Sequence, residues 1–350
     1  LHQVATSAAG ATTCGLRESG AAYCWGANDF GQLGSGLNGS RLEPTAVGRG
    51  RGFTAIAVGA AHVCALDAAG PALCWGRNLA GALGRGDTTA AATCPADATA
   101  HEACAVPEEV AGGLRFQAVG AGADFTCGLT TDARVHCWGE DFFGQLGVAD
   151  TTLLACPAGG RCSVTPLAVA FPDTLRLAAL AVGSAHACAL DAAGAAWCWG
   201  RQGGVQGGAR APAAAPAAVG GGVAFAQLAA GSGTCALTAA GAAYCWGADA
   251  ADTVPRPVAS PYSFRSIAVG AGEACALTAT GAAFCWALAD LAPAQVPARL
   301  VFERLSVGAG YRCGEVPGIG AYCWGRNDAG QLGDGTRAVR AEPAFVAGQY

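Results

Sequence analysis

The chain has few charged residues and no methionine. Asp, Glu, Lys and Arg make up 13% of its 350 residues, and the formal net charge is −5. A chain without a basic excess lacks the electrostatic footprint that binds phosphate backbones, so we expect no nucleic-acid partner. Because residue 1 is Leu and no charged-then-apolar leader follows it, we expect the numbered chain to be a processed or trimmed product.

Long apolar runs and the common catalytic motifs are also missing. No stretch approaches the roughly 20 apolar residues of a membrane-crossing helix, so the sequence predicts no transmembrane segment in this chain. His-Glu-x-x-His, Gly-x-Ser-x-Gly and Cys-x-x-Cys do not occur. With no nucleophile beside a base and no spaced metal ligands, we expect a protein that is not an enzyme and uses no cofactor.

Cysteine, in contrast, is abundant. The chain has 18 cysteines, an even number. Such usage is typical of proteins from an oxidising compartment, and it favours disulfides over zinc ligands or buried free thiols. We therefore expect an exported protein, located outside the cell, at the cell surface or in a periplasm.

Most of these cysteines belong to a repeat. Seven times the sequence places two cysteines ten positions apart, with Trp directly after the second. A unit that recurs every 40 or so residues indicates a repeat architecture. The pairs are Cys14–Cys24, Cys64–Cys74, Cys127–Cys137, Cys188–Cys198, Cys235–Cys245, Cys275–Cys285 and Cys313–Cys323.

Each unit has the pattern of four strands. In the second unit, residues 53–59 alternate and are rich in strand formers, and Cys64 and Cys74 are symmetric about a turn that contains Gly70. Directly opposed residues of an antiparallel pair lie at a separation that a disulfide fits. After a long loop, a fourth strand begins at or near a proline. The sequence thus predicts an all-β fold, a seven-bladed β-propeller of four-stranded antiparallel blades with one disulfide per blade hairpin.

We expect one propeller domain over residues 1–350, with insertions at about 87–106 and 150–164 in units 2 and 3. Each insertion has its own cysteine pair, Cys94/Cys104 and Cys156/Cys162, and proximity in sequence predicts that each pair is bonded. The end of unit 7 should lie next to the start of unit 1, so that the ring closes.

A loop of the form Gly-x-Asn-x-x-Gly-Gln-Leu-Gly follows the Trp of units 1, 2, 3 and 7, for example GRNDAGQLG at 325–333. With the preceding hairpin, these residues resemble the regulator of chromosome condensation repeat family, and the paired cysteines resemble those of exported bacterial members. The resemblance implies seven-bladed propellers that act as protein-binding platforms. Units 4, 5 and 6 lack the loop.

Strand alternation places the long loops and the corners between first and second strands on one face of the propeller. The corner position two residues before each first cysteine varies in size and charge, which indicates either tolerance at an exposed corner or a ring of partner contacts. Loop aromatics are further candidate anchors, unless they merely cover the blade tops. The candidate partner-binding residues are Phe30, His62, Phe125, Phe142, Phe143, His186, Glu273 and Tyr311.

These features favour an exported, non-catalytic scaffold that binds another macromolecule, most simply a protein, through its loop-bearing face. We expect binding to concentrate on units 7, 1, 2 and 3, which are consecutive around a closed ring. The alternatives are an inhibitor of a secreted or periplasmic hydrolase, a glycan-binding module with shallow aromatic sites, and a structural subunit of a cell-surface assembly.

Overall fold

The computed structural model of the protein describes residues 1–37, 39–48, 50–88, 103–148, 153–157, 159–201, 215–248, 253–297 and 300–349, without the side chains of 103–105. Within these ranges the regular elements are β-strands arranged in seven sheets, one for each sequence repeat. Among the described residues, no helix has the length and apolar character that crossing a membrane requires.

The strands follow the repeat boundaries. Blade 1 contains β1 (Gln3–Thr6), β2 (Thr12–Leu16), β3 (Ala22–Gly26) and β4 (Arg41–Ala46), and blade 2 contains β5 (Phe53–Val58), β6 (His62–Asp67), β7 (Ala72–Arg77) and β8 (Ala103–Glu109). Blade 3 contains β9 (Phe116–Ala121), β10 (Phe125–Thr130), β11 (Val135–Glu140), β12 (Leu154–Ala155) and β13 (Arg161–Ala168), and blade 4 contains β14 (Leu177–Val182), β15 (His186–Asp191), β16 (Ala196–Gly200) and β17 (Ala217–Ala218).

The remaining blades have shorter outer strands, except for the last. Blade 5 contains β18 (Gln227–Ala230), β19 (Thr234–Leu237), β20 (Ala243–Trp246) and β21 (Arg256–Pro257), and blade 6 contains β22 (Phe264–Val269), β23 (Glu273–Thr278), β24 (Ala283–Ala287) and β25 (Ala294–Gln295). Blade 7 contains β26 (Arg304–Val307), β27 (Tyr311–Val316), β28 (Gly320–Gly325) and β29 (Arg340–Phe345).

The blades form a closed ring with their first strands innermost. Six blades are simple antiparallel meanders, and blade 3 has the strand order β9-β10-β11-β13-β12. The first strands of successive blades contact one another from β1 through to β26. The ring closes where β26 and β27 of blade 7 contact β1 of blade 1. The predicted seven-bladed fold is confirmed, and so is the adjacency of the first and last units. The first and last strands, β1 and β29, belong to different blades, so closure depends on contacts between blades rather than on a shared sheet.

The hairpin disulfides are placed as predicted. Cys64 and Cys74 are directly opposed partners of β6 and β7, and their Cα atoms are 4.1 Å apart. The same pairing occurs in all seven blades. The turn between the two strands uses Gly70 at φ +96°, a conformation that glycine adopts without a steric penalty.

Seven apolar clusters lie between the blades rather than inside one common core. In six of them, one blade presents its disulfide face to the Trp face of the next, as Cys14 and Cys24 of blade 1 do to Trp75 of blade 2. In the seventh, Leu277 of blade 6 lies in one cluster with Trp324 of blade 7. The closing cluster joins Cys313 and Cys323 of blade 7 to Trp25 of blade 1. Each blade therefore buries its apolar surface only by contact with both neighbours.

The outer edges of the blades are blunted by proline. Pro44, Pro107, Pro166, Pro257 and Pro343 lie in the fourth strands of blades 1, 2, 3, 5 and 7. Because proline has no N–H to donate, these edges are poor templates for pairing with another chain.

The insertion of blade 3 forms an additional outer strand. β12 pairs with β13, and the structure joins Cys156 to Cys162 across this hairpin. The other insertion falls largely outside the described residues, which do not include Cys94.

We expect non-reducing peptide mapping to recover a Cys94–Cys104 bridge beside the seven hairpin bridges and Cys156–Cys162. A free thiol at Cys94 would contradict that pairing.

The inner corners are packed too tightly for any side chain on their glycines. A Cβ atom built on Gly231 would lie 2.4 Å from the carbonyl oxygen of Gly270, and one on Gly270 would lie 2.4 Å from that of Gly308. Backbone hydrogen bonds cross the same corners, including Ser232 N to Gly270 O at 3.0 Å. The glycines therefore allow the blades to approach at the mouth of the central channel.

We expect Gly231→Ala to lower the free energy of unfolding by about 1–3 kcal/mol, because the added methyl group must displace the neighbouring corner. Gly52→Ala is the matched control. A Cβ there has no heavy atom nearer than 3.8 Å, and we expect a change between none and a gain of about 1 kcal/mol. Urea unfolding with the disulfides intact measures both variants, and equal stability of the two would contradict the tight corner.

Candidate functional site

The corners and the long loops share one face of the propeller, here called the loop face. In blade 1 the amide of Ala27, at the start of the long loop, donates to the carbonyl of Ala11 in the corner at 2.9 Å. Arg77 and Ala61 make the same bond in blade 2 at 2.9 Å. The tight hairpin turns lie on the opposite face, here called the turn face.

A buried amide or carboxylate organises each long loop. Oδ1 of Asn28 accepts the amide of Leu33 at 3.0 Å, and its Nδ2 donates to the carbonyl of Leu37 at 2.6 Å. This satisfies the backbone of the turn, as expected of Asn in such loops. The equivalent Oδ1 acceptors in blades 2, 3 and 7 are those of Asn78, Asp141 and Asn327.

The long loops also connect neighbouring blades. In blade 2, the indole Nε1 of Trp75 donates to the carbonyl of Gln32, which lies in the loop of blade 1, at 2.9 Å. Trp138, Trp199 and Trp25 bond the preceding loops in the same way. Within the described residues, the indole N–H groups of Trp246 and Trp286 have no acceptor, and these two follow the units that lack the loop. The loop is thus a structural part of the ring.

Four of the candidate corner residues are buried, so the expectation of an exposed corner is wrong for these four. His62, Phe125, His186 and Tyr311 are all 2% exposed or less. Their rings fold back over the corner glycines: a Cβ on Gly122 would lie 2.1 Å from Phe125 Cε1. These side chains fill the space that the missing Cβ atoms leave, and they are turned away from solvent.

In unit 1, the hydroxyl of Thr12 donates to the carbonyl of Ala27 in the same blade. The other polar corner side chains meet the next blade. Nε2 of His62 lies 2.9 Å from Oγ1 of Thr126. The other polar pairs are His186–Thr234, Tyr311–Thr13 and Glu273–Arg312, whereas Phe125 packs in one apolar cluster with Ala187. The partner in every case is the residue directly before the next unit's first cysteine.

The varying corner position is therefore matched across the interface between blades. The sequence contains this pairing. For these corner residues, the residue directly before the next unit's first cysteine suits the corner residue in type: Thr follows His or Tyr, Arg follows Glu, and Ala follows Phe. It was overlooked because glycine-rich corners are typical of exposed loops, so the corner side chains were expected to face solvent.

Burial sets the protonation of these corner groups. It lowers the pKa of His62 and of His186 to about 4, so both imidazoles are neutral near pH 7. Burial also raises the pKa of the Tyr311 hydroxyl well above its usual range. None of these groups faces solvent, so they stabilise the interfaces between blades rather than act as acids or bases on a substrate.

Of the three candidate loop aromatics, Phe142 is exposed, whereas Phe30 and Phe143 are half-buried. Phe30 lies under the guanidinium of Arg77, 5.2 Å from Cζ to the ring centroid, and Phe143 lies under Arg201 at 4.8 Å. Phe142 is 59% exposed and packs edge-to-face on Phe143 with 4.8 Å between the ring centroids. Glu273 is partly exposed and is ion-paired with Arg312.

Phe142 has apolar companions that sequence analysis missed. Within the described residues, eight large apolar side chains are exposed, and four of them lie on the loop face of blades 7, 1 and 3. These four are Val339, Leu37, Phe142 and Leu154. Val254 occupies a loop of blade 5, and Tyr262, Val301 and Ile319 lie on connections of the turn face. The loop face of blades 7, 1, 2 and 3, here called the loop arc, therefore carries half of the exposed set.

One group of residues within the described part has the spacing of metal ligands. It consists of Glu273, Cys275 and Cys285, but the two cysteines are joined to each other. A disulfide sulfur is not the thiolate that a metal requires, so this group does not fit a metal ion.

The pairing of corner residues can be tested by transplanting one pair. We expect His186→Phe or Thr234→Ala alone to cost about 1–3 kcal/mol, because each leaves a buried polar group without its partner. The double variant copies the Phe125–Ala187 pair, so we expect it to lie within about 1 kcal/mol of the natural chain. A double-mutant cycle by urea unfolding measures the coupling. Additive losses would contradict the pairing.

The same variants predict an acid dependence. Because the folded pKa of His186 is about 4 and the unfolded value is about 6.5, unfolding becomes easier as the pH falls from 6.5 towards 4. This histidine should account for about 3 kcal/mol of that loss, which the double variant should avoid. Urea titrations at pH 7 and pH 4.5 give the comparison, and an equal loss in both proteins would contradict it.

Comparison with known proteins finds a similar repeat in three segments of the chain. The family described as "Regulator of chromosome condensation (RCC1) repeat" matches residues 19–66, and a second description of the same repeat matches residues 4–32 and 116–145. The Ultraviolet-B receptor UVR8 of Arabidopsis thaliana is 27% identical over 157 residues, which cover 43% of this chain and only 33% of the receptor.

Two solved structures share the fold over nearly the whole chain. Prp20p of Saccharomyces cerevisiae aligns with a TM-score of 0.78 at 21% identity, covering 95% of this chain and 87% of Prp20p. Human WBSCR16 aligns with a TM-score of 0.77 at 19% identity, covering 93% of this chain and 94% of WBSCR16. At these identities the likeness concerns the fold.

Proposed function

Because the chain is a seven-bladed propeller whose residues 4–66 and 116–145 match the regulator of chromosome condensation repeat, we propose that it is a non-catalytic scaffold that binds another protein through the loop arc. The observation that carries the proposal is the exposure of Phe142, at 59%, beside Leu154, at 54%, on the same blade. Large apolar side chains that stay exposed on a rigid base are typical anchors of protein interfaces.

Phe142 is held firmly enough to serve as an anchor. Its ring rests on Phe143, which is fixed in turn by Arg201 of the next blade. The amide of Asp141 donates to the carbonyl of Arg161 at 2.8 Å, so the loop is tied to the β12–β13 hairpin. An aromatic side chain that is already ordered loses little conformational entropy on binding, which favours affinity.

The exposed residues on both sides extend this surface around the ring. Leu37 of blade 1 is 59% exposed and Val339 of blade 7 is 73% exposed. Both lie in long loops that the Trp bonds between blades hold in place. A partner that spans blades 7 to 3 would cover all four apolar side chains at once, which is the lopsided binding expected from the distribution of long loops.

The relatives are consistent with a protein partner. Prp20p, which has the same fold, is described together with its binding to Gsp1p and histones. We propose a protein partner for this chain by analogy of fold and by the apolar loop arc, and the identity of the partner is open to the experiment below. The acidic net charge of −5 supports a partner other than nucleic acid.

We propose further that the protein is exported. Seven hairpin disulfides, with thirteen of their fourteen cysteines buried, support an oxidising compartment, because a reducing cytosol keeps such thiols unpaired. The exported fraction of the source cells is therefore where the partner should be sought.

The test begins with chemical cross-linking and capture from that exported fraction, followed by titration of the purified partner against defined variants. We expect Phe142→Ala to weaken binding at least tenfold and Leu154→Ala to weaken it less, because aromatic anchors dominate interface energies. Ile319→Ala is the matched control, since Ile319 is 58% exposed but lies on the turn face. An unfolding midpoint for each variant confirms that it is folded.

Each alternative function has its own outcome. Unchanged affinity in Phe142→Ala and Leu154→Ala, or an equal loss in Ile319→Ala, would move the binding surface away from the loop arc. Binding on a glycan array without a protein partner would indicate a glycan-binding module. Stoichiometric inhibition of a captured hydrolase would specify an inhibitor, and self-association in a fixed ratio would specify a structural subunit.

A further inference from the structure

The seam between blades 7 and 1 has a chemistry that the other six seams lack. In six units, the residue two positions after the first cysteine is Leu, and in unit 7 it is Glu315. The six leucines are Leu16, Leu66, Leu129, Leu190, Leu237 and Leu277, all 3% exposed or less. Glu315 is 5% exposed, so a carboxyl group occupies a buried position that the repeat otherwise fills with an apolar side chain.

This carboxyl group bonds the first strand of the chain. Its Oε1 accepts the backbone amide of Val4 in β1 at 2.5 Å. Since β1 pairs with β2 along one edge only, the amide of Val4 belongs to the edge that faces blade 7. The bond therefore crosses the closing seam directly, from a side chain of the last blade to the backbone of the first.

A second polar residue of blade 7, Ser306, bonds the same edge of β1. Oγ of Ser306 accepts the amide of Thr6 at 3.0 Å and lies 2.8 Å from Oγ1 of Thr6. Ser306 pairs with Cys313, and the residues that pair with the first cysteine in the other blades are Ala or Gly. Those residues are Ala5, Ala57, Gly120, Ala181, Ala229 and Ala268. Two polar replacements in one unit thus bond two successive edge amides of β1.

We propose that Glu315 is a pH-dependent latch, which holds β1 against blade 7 when its carboxyl group is protonated and loosens the closing seam when it ionises. The geometry is consistent with a closed seam when Glu315 is protonated and with a loosened seam when it is ionised. A protonated carboxyl group still accepts the Val4 amide through its carbonyl oxygen, and it adds no charge to the buried seam. An ionised one must keep a charge among apolar residues of the closing cluster, such as Val4 and Trp25.

The surrounding charges do not neutralise the carboxylate. Burial raises the pKa of Glu315 to about 7, and the negative charge of Glu303 acts in the same direction. The Val4 hydrogen bond, the guanidinium of Arg304 and the amino group of residue 1 oppose the shift without cancelling it. Arg17 and Glu18 act on that amino group from the blade 1 side.

The direction of the pH effect follows from these values. When β1 separates from blade 7, Glu315 is in water and titrates near its ordinary value of about 4.5. A raised pKa in the closed state means that the closed seam binds the proton more tightly than the open one. Opening therefore becomes easier as the pH rises from 4.5 to 7, and it levels off above pH 7.

Hydrogen exchange of the first strand tests the latch in the full chain. Exchange followed by mass spectrometry at pH 5 and pH 8, corrected for the intrinsic exchange rate, gives the opening equilibrium of β1 (Gln3–Thr6). We expect opening to increase on the order of 50- to 100-fold between these pH values. The equivalent strand β22 (Phe264–Val269) is the internal control. Leu237 occupies the equivalent position in its seam, and the corner residues there, Gly233 and Ala274, have no titratable group, so its opening should not change.

Three variants separate the carboxyl group from other causes. Glu315→Gln keeps an oxygen acceptor but cannot ionise, and Glu315→Leu restores the residue of the other units, so we expect opening of β1 to be independent of pH in both. Glu303→Gln removes an exposed neighbouring charge and should keep most of the pH dependence. If Glu315→Leu fails to fold, Glu315→Gln alone decides the comparison.

Two outcomes would overturn the latch. One is opening of β1 that does not change with pH in the natural chain, or that changes in parallel with β22. The other is a pH dependence of β1 that Glu315→Gln leaves intact.

Discussion

The contact of one blade's disulfide face with the next blade's Trp is the interaction on which the rest of the structure depends. A single blade is a thin sheet whose two faces are both apolar, so it has no core of its own. The corner glycines allow the sheets to approach at the channel, and the Trp bonds to the long loops hold them together farther out. The hairpin disulfides join the second and third strands within each blade.

The seams between blades are not interchangeable, although the blades look alike. His62 requires the hydroxyl of Thr126, whereas Phe125 requires the small Ala187. A blade placed beside the wrong neighbour would leave a buried imidazole unpaired or a cavity unfilled, and either costs free energy. Polar residues at the corners thus specify which blade follows which, and Glu315 distinguishes the closing seam from all others.

The residues that hold the ring together differ from the exposed residues that the proposed function uses. The corner residues and the loop residues equivalent to Asn28 hold the ring together. The corner residues differ from unit to unit because each must match a residue of the next blade. What remains for a partner is the set of exposed apolar side chains on the loop arc, with Phe142 the most rigidly supported. The proposed function therefore rests on a few surface positions that the ring itself does not use.

The sequence alone determined the seven blades, the four strands of each and the hairpin disulfides, because these depend on local spacing. Cys64 and Cys74 meet through a short turn, and strand periodicity extends over a few residues only. The direction of the corner side chains depended on the tertiary structure, since the residues that pack against them lie far away in the chain. His62 and Thr126 are 64 positions apart, and Val4 and Glu315 are 311 apart. The exposure of Leu37, Leu154 and Val339 was likewise decided by which loops the neighbouring blades leave uncovered, a property that no single repeat contains.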